Sequence, residues 1–284
     1  MHGAKPWQTP YGPPVSSPPV LTPTVVDLGS IDYASGLALQ RDALERVVAA
    51  RDAEDSREVV FLLEHDPAVI TITRRPGAAA HLLASPERLA ALGVEVHETD
   101  RGGDITYHGP GQLVVYPIID LNRHGLRIHS YMRLLEDVVI ATLGEFELAA
   151  GRDACATGVW VDDPIGETTA PAVMCSLDRS HGDAPAGTRP GMRLGTRGRS
   201  AKICAMGVRV SRWVSMHGLA LNVSPDLEHF GLIVPCGLAG RTVTSLAREL
   251  GDRAPSMATV KERLAAKLLG ALTLRRQAPS SLPE

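Results

Sequence analysis

Apolar positions along this chain recur with two periods, about 3.6 and 2, and their succession lays out most of the elements. Tyr33, Leu37, Leu44, Val47 and Val48 fall on one face of a helix reaching about Ala53, and Asp32 stands before it as N-cap. Val59–Leu63 and Ala68–Thr73 read as strands. Glu64-His65-Asp66-Pro67 turns the chain between them, since proline restricts itself and its predecessor. A short helix around Pro86–Leu92 precedes a strand at Val94–Glu98. Leu113–Leu121 is an apolar strand, and Ile128, Met132, Leu135, Val139, Leu143 and Phe146 mark an amphipathic helix. Thr157–Val161 and Met216–Val223 read as further strands. Between them Lys202–Val210 alternates, with Lys202, Cys204, Met206 and Val208 on one face and Ile203, Ala205, Gly207 and Arg209 on the other. Thr244–Leu250 is a short helix. Ser256 caps a terminal helix whose Val260, Leu264, Leu268 and Leu272 face inward. Strands and helices are interspersed without regular βαβ spacing, which predicts an α+β fold: a mixed sheet flanked by helices.

Two stretches carry no period. Residues 1–24 hold seven prolines among Gly, Ser and Thr, and cannot bury enough apolar area to offset ordering entropy. They are expected to be a disordered tail, not a signal peptide, because no charged start leads into an apolar run. Asp163–Ser200 is rich in Gly, Pro, Thr and Arg and reads as a long irregular insertion in a single domain spanning 25–284. Its end is basic, with Arg189, Arg193, Arg197, Arg199 and then Lys202 and no acid. That run suits a solvated linker or a surface for an acidic partner.

Composition narrows the class. With 44% hydrophobic residues, 21% charged residues and a net charge of -3, the 284-residue chain has the balance of a soluble globular protein and no basic excess for nucleic acid. No apolar run approaches the ~20 residues that span a bilayer. The cysteines, Cys155, Cys175, Cys204 and Cys236, form no C-x-x-C pair, so reduced thiols and a cytoplasmic location are expected.

Candidate chemistry gathers at two places. Arg101-Gly-Gly-Asp-Ile-Thr-Tyr-His-Gly-Pro-Gly-Gln112 packs four glycines beside polar side chains and runs into the Leu113 strand. Such a loop suits a pocket wall, where glycine lets backbone approach a ligand, and equally suits a tight turn. Cys236 sits between Pro235 and Gly237, where a thiol is presented at a loop apex or is merely structural. Lys202 opens a strand that looks buried, an expensive place for an ammonium without a partner; a nearby thiolate would serve, and so would water at the strand edge. Cys204 is a rival thiol or a small core residue. H-E-x-x-H, G-x-S-x-G and G-x-G-x-x-G are absent, and the histidines lack metal-ligand spacing.

The motif Arg101-Gly-Gly-x-Ile-Thr-Tyr-His-Gly-Pro-Gly-Gln-Leu-Val-x-Tyr-Pro closely resembles the signature loop of the lipoyl(octanoyl) transferases. So do Glu64-His65-x-Pro67, Thr157-Gly-Val-Trp-Val161, Lys202-Ile203, Met216-His-Gly-Leu-Ala-Leu-Asn222, Val234-Pro-Cys-Gly237 and Val243-Thr-Ser-Leu246, in the family's order from about Val26 to Leu250. The resemblance implies the fold of lipoate- and biotin-protein ligase catalytic domains. It also implies an acyltransferase that moves an octanoyl or lipoyl group through a cysteine thioester, with no cofactor and no metal. The donor is octanoyl-acyl carrier protein; the acceptors are lysines of lipoyl domains, in 2-oxoacid dehydrogenase E2 subunits and glycine cleavage H protein. No nucleic acid or membrane partner is implied.

By the same resemblance Cys236 falls on the nucleophile and Lys202 on its partner lysine. Substrate-binding positions fall on Arg101, Gly102, Gly103, Asp104, Ile105, Thr106, Tyr107 and His108, on Ala205, Met206 and Gly207, and on Gly218, Leu219 and Ala220. Asp104 stands where the family commonly has Gln, Val115 where it commonly has Gly, and Ala201 where it commonly has Arg; the insertion is longer than usual. Two other readings remain at this point. An ATP-dependent ligase would form an adenylate without carrier protein, and a non-catalytic acyl-binding module would keep its ligand without transferring it.

Overall fold

Seven strands form the main sheet of the computed structural model, which describes residues 22–51, 56–153, 156–162, 200–234 and 241–277. Across it run β1 (Thr24–Ile31), β2 (Val59–His65), β6 (Gln112–Ile118), β9 (Val214–Asn222), β8 (Ser200–Ser211) and β10 (Thr242–Val243), and β7 (Val159–Asp162) also pairs with β8. A smaller sheet holds β4 (Glu95–Thr99), β3 (Val69–Thr73) and β5 (Ile105–His108). The β1–β2, β8–β10 and β3–β4 pairs are parallel and the others antiparallel, so the mixed α+β expectation holds.

Helices cover both faces of the main sheet. On one face α1 (Tyr33–Ala49) packs Ala43, Leu44 and Val47 against Phe61, Leu63, Val114 and Tyr116. On the other, α3 (Ile128–Glu145), α4 (Leu246–Leu250) and α5 (Met257–Gln277) bury Leu135, Val139, Leu246, Leu264 and Leu268 against Leu113, Val115, Ile203 and Leu221. β6 is therefore buried at every position, and reads in sequence as a continuous apolar run instead of an alternating one. The small sheet carries its own core, where Leu89 of α2 (Pro86–Leu92) meets Ile70, Ile105 and Tyr107.

The helix starts follow from the sequence. Asp32 accepts from the Ser35 amide at 2.8 Å, Ser85 from that of Arg88 at 3.3 Å, Ser245 from that of Arg248 at 3.2 Å and Ser256 from that of Thr259 at 3.2 Å. Val260, Leu264, Leu268 and Leu272 are all fully buried, as their spacing predicts. Three expectations need correction. Thr24 belongs to β1, so ordered chain begins before the expected end of the tail. α1 ends at Ala49, short of the predicted Ala53. Ile128, placed on the inner stripe of α3, is exposed in its first turn.

A fourth correction bears on the site. Val159 pairs with Cys204 but Trp160 with Lys202, so β8 carries Ile203 as an extra residue at a bulge. The strict alternation of β8 therefore breaks at this point: Ile203 and Cys204 enter the same core, while the Lys202 side chain lies over Trp160. Of the residues read as tail and insertion, 1–21 and 163–199 lie outside the described residues.

Candidate functional site

Where β5 of the small sheet faces β6, β8 and β9 of the main one, a cavity opens, with about 510 Å3 of empty space counting its mouth. One wall comes from the glycine loop and β5: Arg101, Gly103, Asp104, Ile105, Thr106 and His108. The facing wall is Ala205, Met206 and Gly207 of β8 with Gly218, Leu219 and Ala220 of β9. The loop lies far in sequence from β8 and β9, which pair as a hairpin, and the fold brings the two walls together. Two of the predicted residues do not line the space. Gly102 contributes backbone, its amide donating to Val208 O at 2.9 Å. Tyr107 points away into the small core, edge-on to Phe230 at 5.1 Å and hydrogen-bonded to His229 Nδ1 at 2.8 Å; burial pushes its phenol up to about 12.

Glycine is required where β8 meets the loop and where β9 meets β6. A Cβ on Gly207 would stand 2.6 Å from Gly102 O, and one on Gly218 only 2.2 Å from Val115 O, so neither strand admits a side chain there. Arg101 braces the loop from within. Its guanidinium donates to Thr71 O and Thr71 Oγ1 at 3.0 Å, to Gly102 O at 3.0 Å and to Asp104 O at 3.3 Å. Asp104 turns its buried carboxylate to His81, whose Nδ1 donates to it at 2.7 Å. The His81 carbonyl in turn accepts from the Val234 amide at 2.8 Å, which ties the cavity wall to the segment entering 235–240.

Five further residues complete the lining: Tyr33, Thr71, Val114, Tyr116 and His217. Val114 and Tyr116 share a face of β6 by simple alternation, and His217 lies in the Met216-His-Gly motif, so both signals stood in the sequence. Nothing local marks Tyr33 or Thr71. His65 lies behind Tyr116, its Nδ1 donating to Ile31 O at 3.1 Å while Nε2 accepts from the Tyr116 hydroxyl at 2.8 Å. His108 donates from Nδ1 to Gln112 Oε1 at 2.7 Å; Gln112 Nε2 donates to Asn222 Oδ1 at 2.9 Å, and Asn222 Nδ2 to Thr244 O at 2.9 Å.

Burial dominates the electrostatics of this set. It pushes His65 down to about 4 and His108 down to about 3, and lowers His217 although Asp100 Oδ1, 3.1 Å from its Nε2, opposes the shift. Burial likewise raises the Tyr33 and Tyr116 phenols. At neutral pH His65 and His108 are uncharged, and both phenols keep their protons. His217 holds a left-handed backbone at φ 58°, its amide donating to Gln40 Oε1 of α1 at 2.7 Å.

Lys202 occupies β8 at 6% exposure between Trp160 of β7 and Val243 of β10, with Nζ 4.7 Å from the Trp160 ring centroid. Cys236, expected as the nucleophile, lies outside the described residues, as do Cys155 and Cys175. Residues on both sides of 235–240 are described. Val234 binds His81 as above, and the Thr244 amide donates to Lys202 O at 2.9 Å. Cys204 is fully buried, and burial pushes its thiol up to about 12, so it is the small core residue and not a reactive thiol. Among the described residues no helix is long and apolar enough to cross a membrane.

A profile of the lipoyl protein ligase A/B catalytic domain matches residues 32–269. An octanoyltransferase from Chloroflexus aggregans is 42% identical over 255 residues, covering 89% of this chain and 96% of that protein. An octanoyltransferase from Bacteroides fragilis is 40% identical over 242 residues, covering 85% and 94%. Among solved structures, the bi-partite lipoate protein ligase of Thermoplasma acidophilum superposes with a TM-score of 0.57 at 14% identity, covering 89% of this chain and 84% of that one. Lipoate-protein ligase A bound with ATP does so at 0.54 and 15% identity, covering 89% and 86%; at such identities the likeness concerns the fold. With its profile match across most of the sequence and its near full-length relatives, the chain belongs to the lipoyl protein ligase A/B catalytic domain family.

Proposed function

We propose that the chain is an octanoyltransferase of protein lipoylation, moving an octanoyl group from acyl carrier protein to a lysine of a lipoyl domain. The observation that carries this is identity of about 40% with octanoyltransferases over nearly the whole of both chains, against 14–15% with the lipoate protein ligases that share the fold. The cavity supports it. Its β8–β9 wall is apolar and narrow-bodied, suited to a methylene chain at ~0.8 kcal/mol per buried CH2. The acceptors on this reading are lipoyl domains of 2-oxoacid dehydrogenase E2 subunits and glycine cleavage H protein, met in the cytoplasm.

Two half-reactions account for the transfer. The Cys236 thiolate, paired with the Lys202 ammonium, attacks the carbonyl carbon of the donor thioester; the bond to the carrier sulfur breaks. That sulfur leaves as a thiol after taking a proton from Lys202. The acceptor lysine, arriving as the free amine, then attacks the enzyme thioester. Its surplus proton passes to Lys202 and the Cys236 thiolate departs, restoring the starting state. Backbone amides near Cys236 or in the glycine loop would hold the oxyanion, at ~3 kcal/mol per donor. The thioester supplies the driving force for the amide, so no nucleotide is consumed. Arg101, Gly103, Asp104, Ile105, Thr106 and His108 with the β8–β9 residues bind the chain, while Gly102 and Tyr107 support that wall from behind.

Intact-mass spectrometry after mixing with octanoyl-carrier protein tests the reading. One octanoyl adduct on the chain, absent in Cys236→Ala and with Cys204 unmodified, is the expected outcome. An adduct that persists in Cys236→Ala would overturn the nucleophile, and adenylate formation from ATP and free octanoate would place the chain with the ligases.

A further inference from the structure

Trp160 carries no role in the transfer as described so far, yet it stands directly across the β7–β8 ladder from Lys202. We propose that Trp160 is the positioning residue of Lys202, holding the buried ammonium on its π face. The inference rests on the reading of Lys202 as the partner of the nucleophile.

Four observations converge on the ring. The bulge at Ile203 advances the register so that Trp160, not Val161, faces Lys202. The indole is then fixed: Nε1 donates to Ala156 O at 3.2 Å, and the Trp160 backbone exchanges both hydrogen bonds with Gly151 at 2.8 and 2.9 Å. At 3% exposure the ring has little room to turn. Next, Gly158 lets the chain entering β7 close against β8 beside the lysine stem. Its φ of +120° and the 2.5 Å that would separate a Cβ from Cys204 O exclude any side chain, and that Cβ would also touch Lys202 Cε at 3.5 Å. Last, the Arg241 guanidinium lies 4.8 Å from the same ring centroid, and its Nη2 pairs with Asp153 at 2.9 Å. Trp160 thus joins Lys202 to Arg241, the first described residue after residues 235–240.

The physics selects the charged lysine. An ammonium is drawn to the negative face of an indole, more strongly where water is excluded, and a neutral amine is not. A mere packing contact would be indifferent to the electron density of the ring. That difference gives the test. In a Trp7→Phe/Trp213→Phe background Trp160 is the sole tryptophan, and replacing it by mono-, di- and trifluorinated analogues weakens the π cloud at nearly constant shape. The rate of acyl-enzyme formation in a single turnover should fall stepwise, roughly ten-fold or more across the series. Rates indifferent to fluorination overturn the proposal.

A second measurement is independent of activity. The chain has four lysines, Lys5, Lys202, Lys261 and Lys267. In lysine-selective 13C NMR the ε-methylene protons of Lys202, assigned by their loss in Lys202→Arg, should lie upfield of the other three from the indole ring current. They should move back in Trp160→Leu. Coincidence with the other three in the unsubstituted protein also overturns the proposal. If the unsubstituted protein takes up no octanoyl group from carrier protein, the transfer reading fails and the NMR measurement alone decides Trp160.

Discussion

Asp104 shows how one side chain is explained only by its partner. Its carboxylate is buried in the cavity wall and accepts from His81 at 2.7 Å, and its backbone oxygen accepts from Arg101. Removing either partner leaves the other with a polar atom to satisfy in a half-closed site. Asp104→Ala and His81→Ala are each expected to cost about 1–2 kcal/mol, and a double-mutant cycle by urea unfolding should give a coupling of about 1 kcal/mol. Purely additive losses would show that the pair contributes nothing. The sequence marked Asp104 as a site position and as a departure from a common Gln. It gave no hint of His81, because 23 residues separate the two and no local period connects them. Cys204 is the converse case: the sequence left it a rival thiol or a core residue, and full burial decides for the core.

At the scale of elements, Gly207 of β8 sets how closely the glycine loop approaches the main sheet. Gly207→Ala places a methyl 2.6 Å from Gly102 O, so the loop must lift and the Gly102–Val208 bond must lengthen. Overpacking of this kind costs about 1–3 kcal/mol. The expected signature is a lowered urea midpoint and a KM for octanoyl-carrier protein raised more than kcat falls. An unchanged KM would show that the loop does not bound the acyl chain. Helix starts were readable because caps are local; Asp32, Ser85, Ser245 and Ser256 each accept the amide that an N-cap should, whereas the end of α1 was set four residues too late. The bulge at Ile203 was not readable, since it is defined by pairing with β7 across the chain. β1 was missed because its exposed and half-buried pattern carries no strong period.

For the molecule as a whole, the buried imidazoles link folding to pH. His65 and His108 titrate near 4 and near 3 when folded, below the ordinary 6.5. The unfolded chain therefore takes up a proton at each as pH falls through 6.5, while the folded chain does not until about 4 or below. Stability is intact above pH 6.5 and falls between there and about 4, by up to about 1.4 kcal/mol per pH unit for each imidazole. His217, lowered in the same direction, adds to the loss. Urea midpoints from pH 7 to 4.5 should fall less steeply in His108→Gln than in the unsubstituted protein. Equal slopes would show that His108 is already protonated in the folded state.

The sequence by itself determined where helices begin, which of their faces are inward, the α+β class, and, through its motifs, the residues gathered at the cavity. Those signals are local: caps, periods and short ordered patterns need no knowledge of what the chain folds against. Tertiary structure alone decided which lining residues face inward. It turned Tyr107 out of the cavity and brought Tyr33 and Thr71 into it. It also set Trp160 opposite Lys202 and His81 against Asp104. Each of these depends on register and burial between distant segments, where a shift of one residue reverses every side chain that follows.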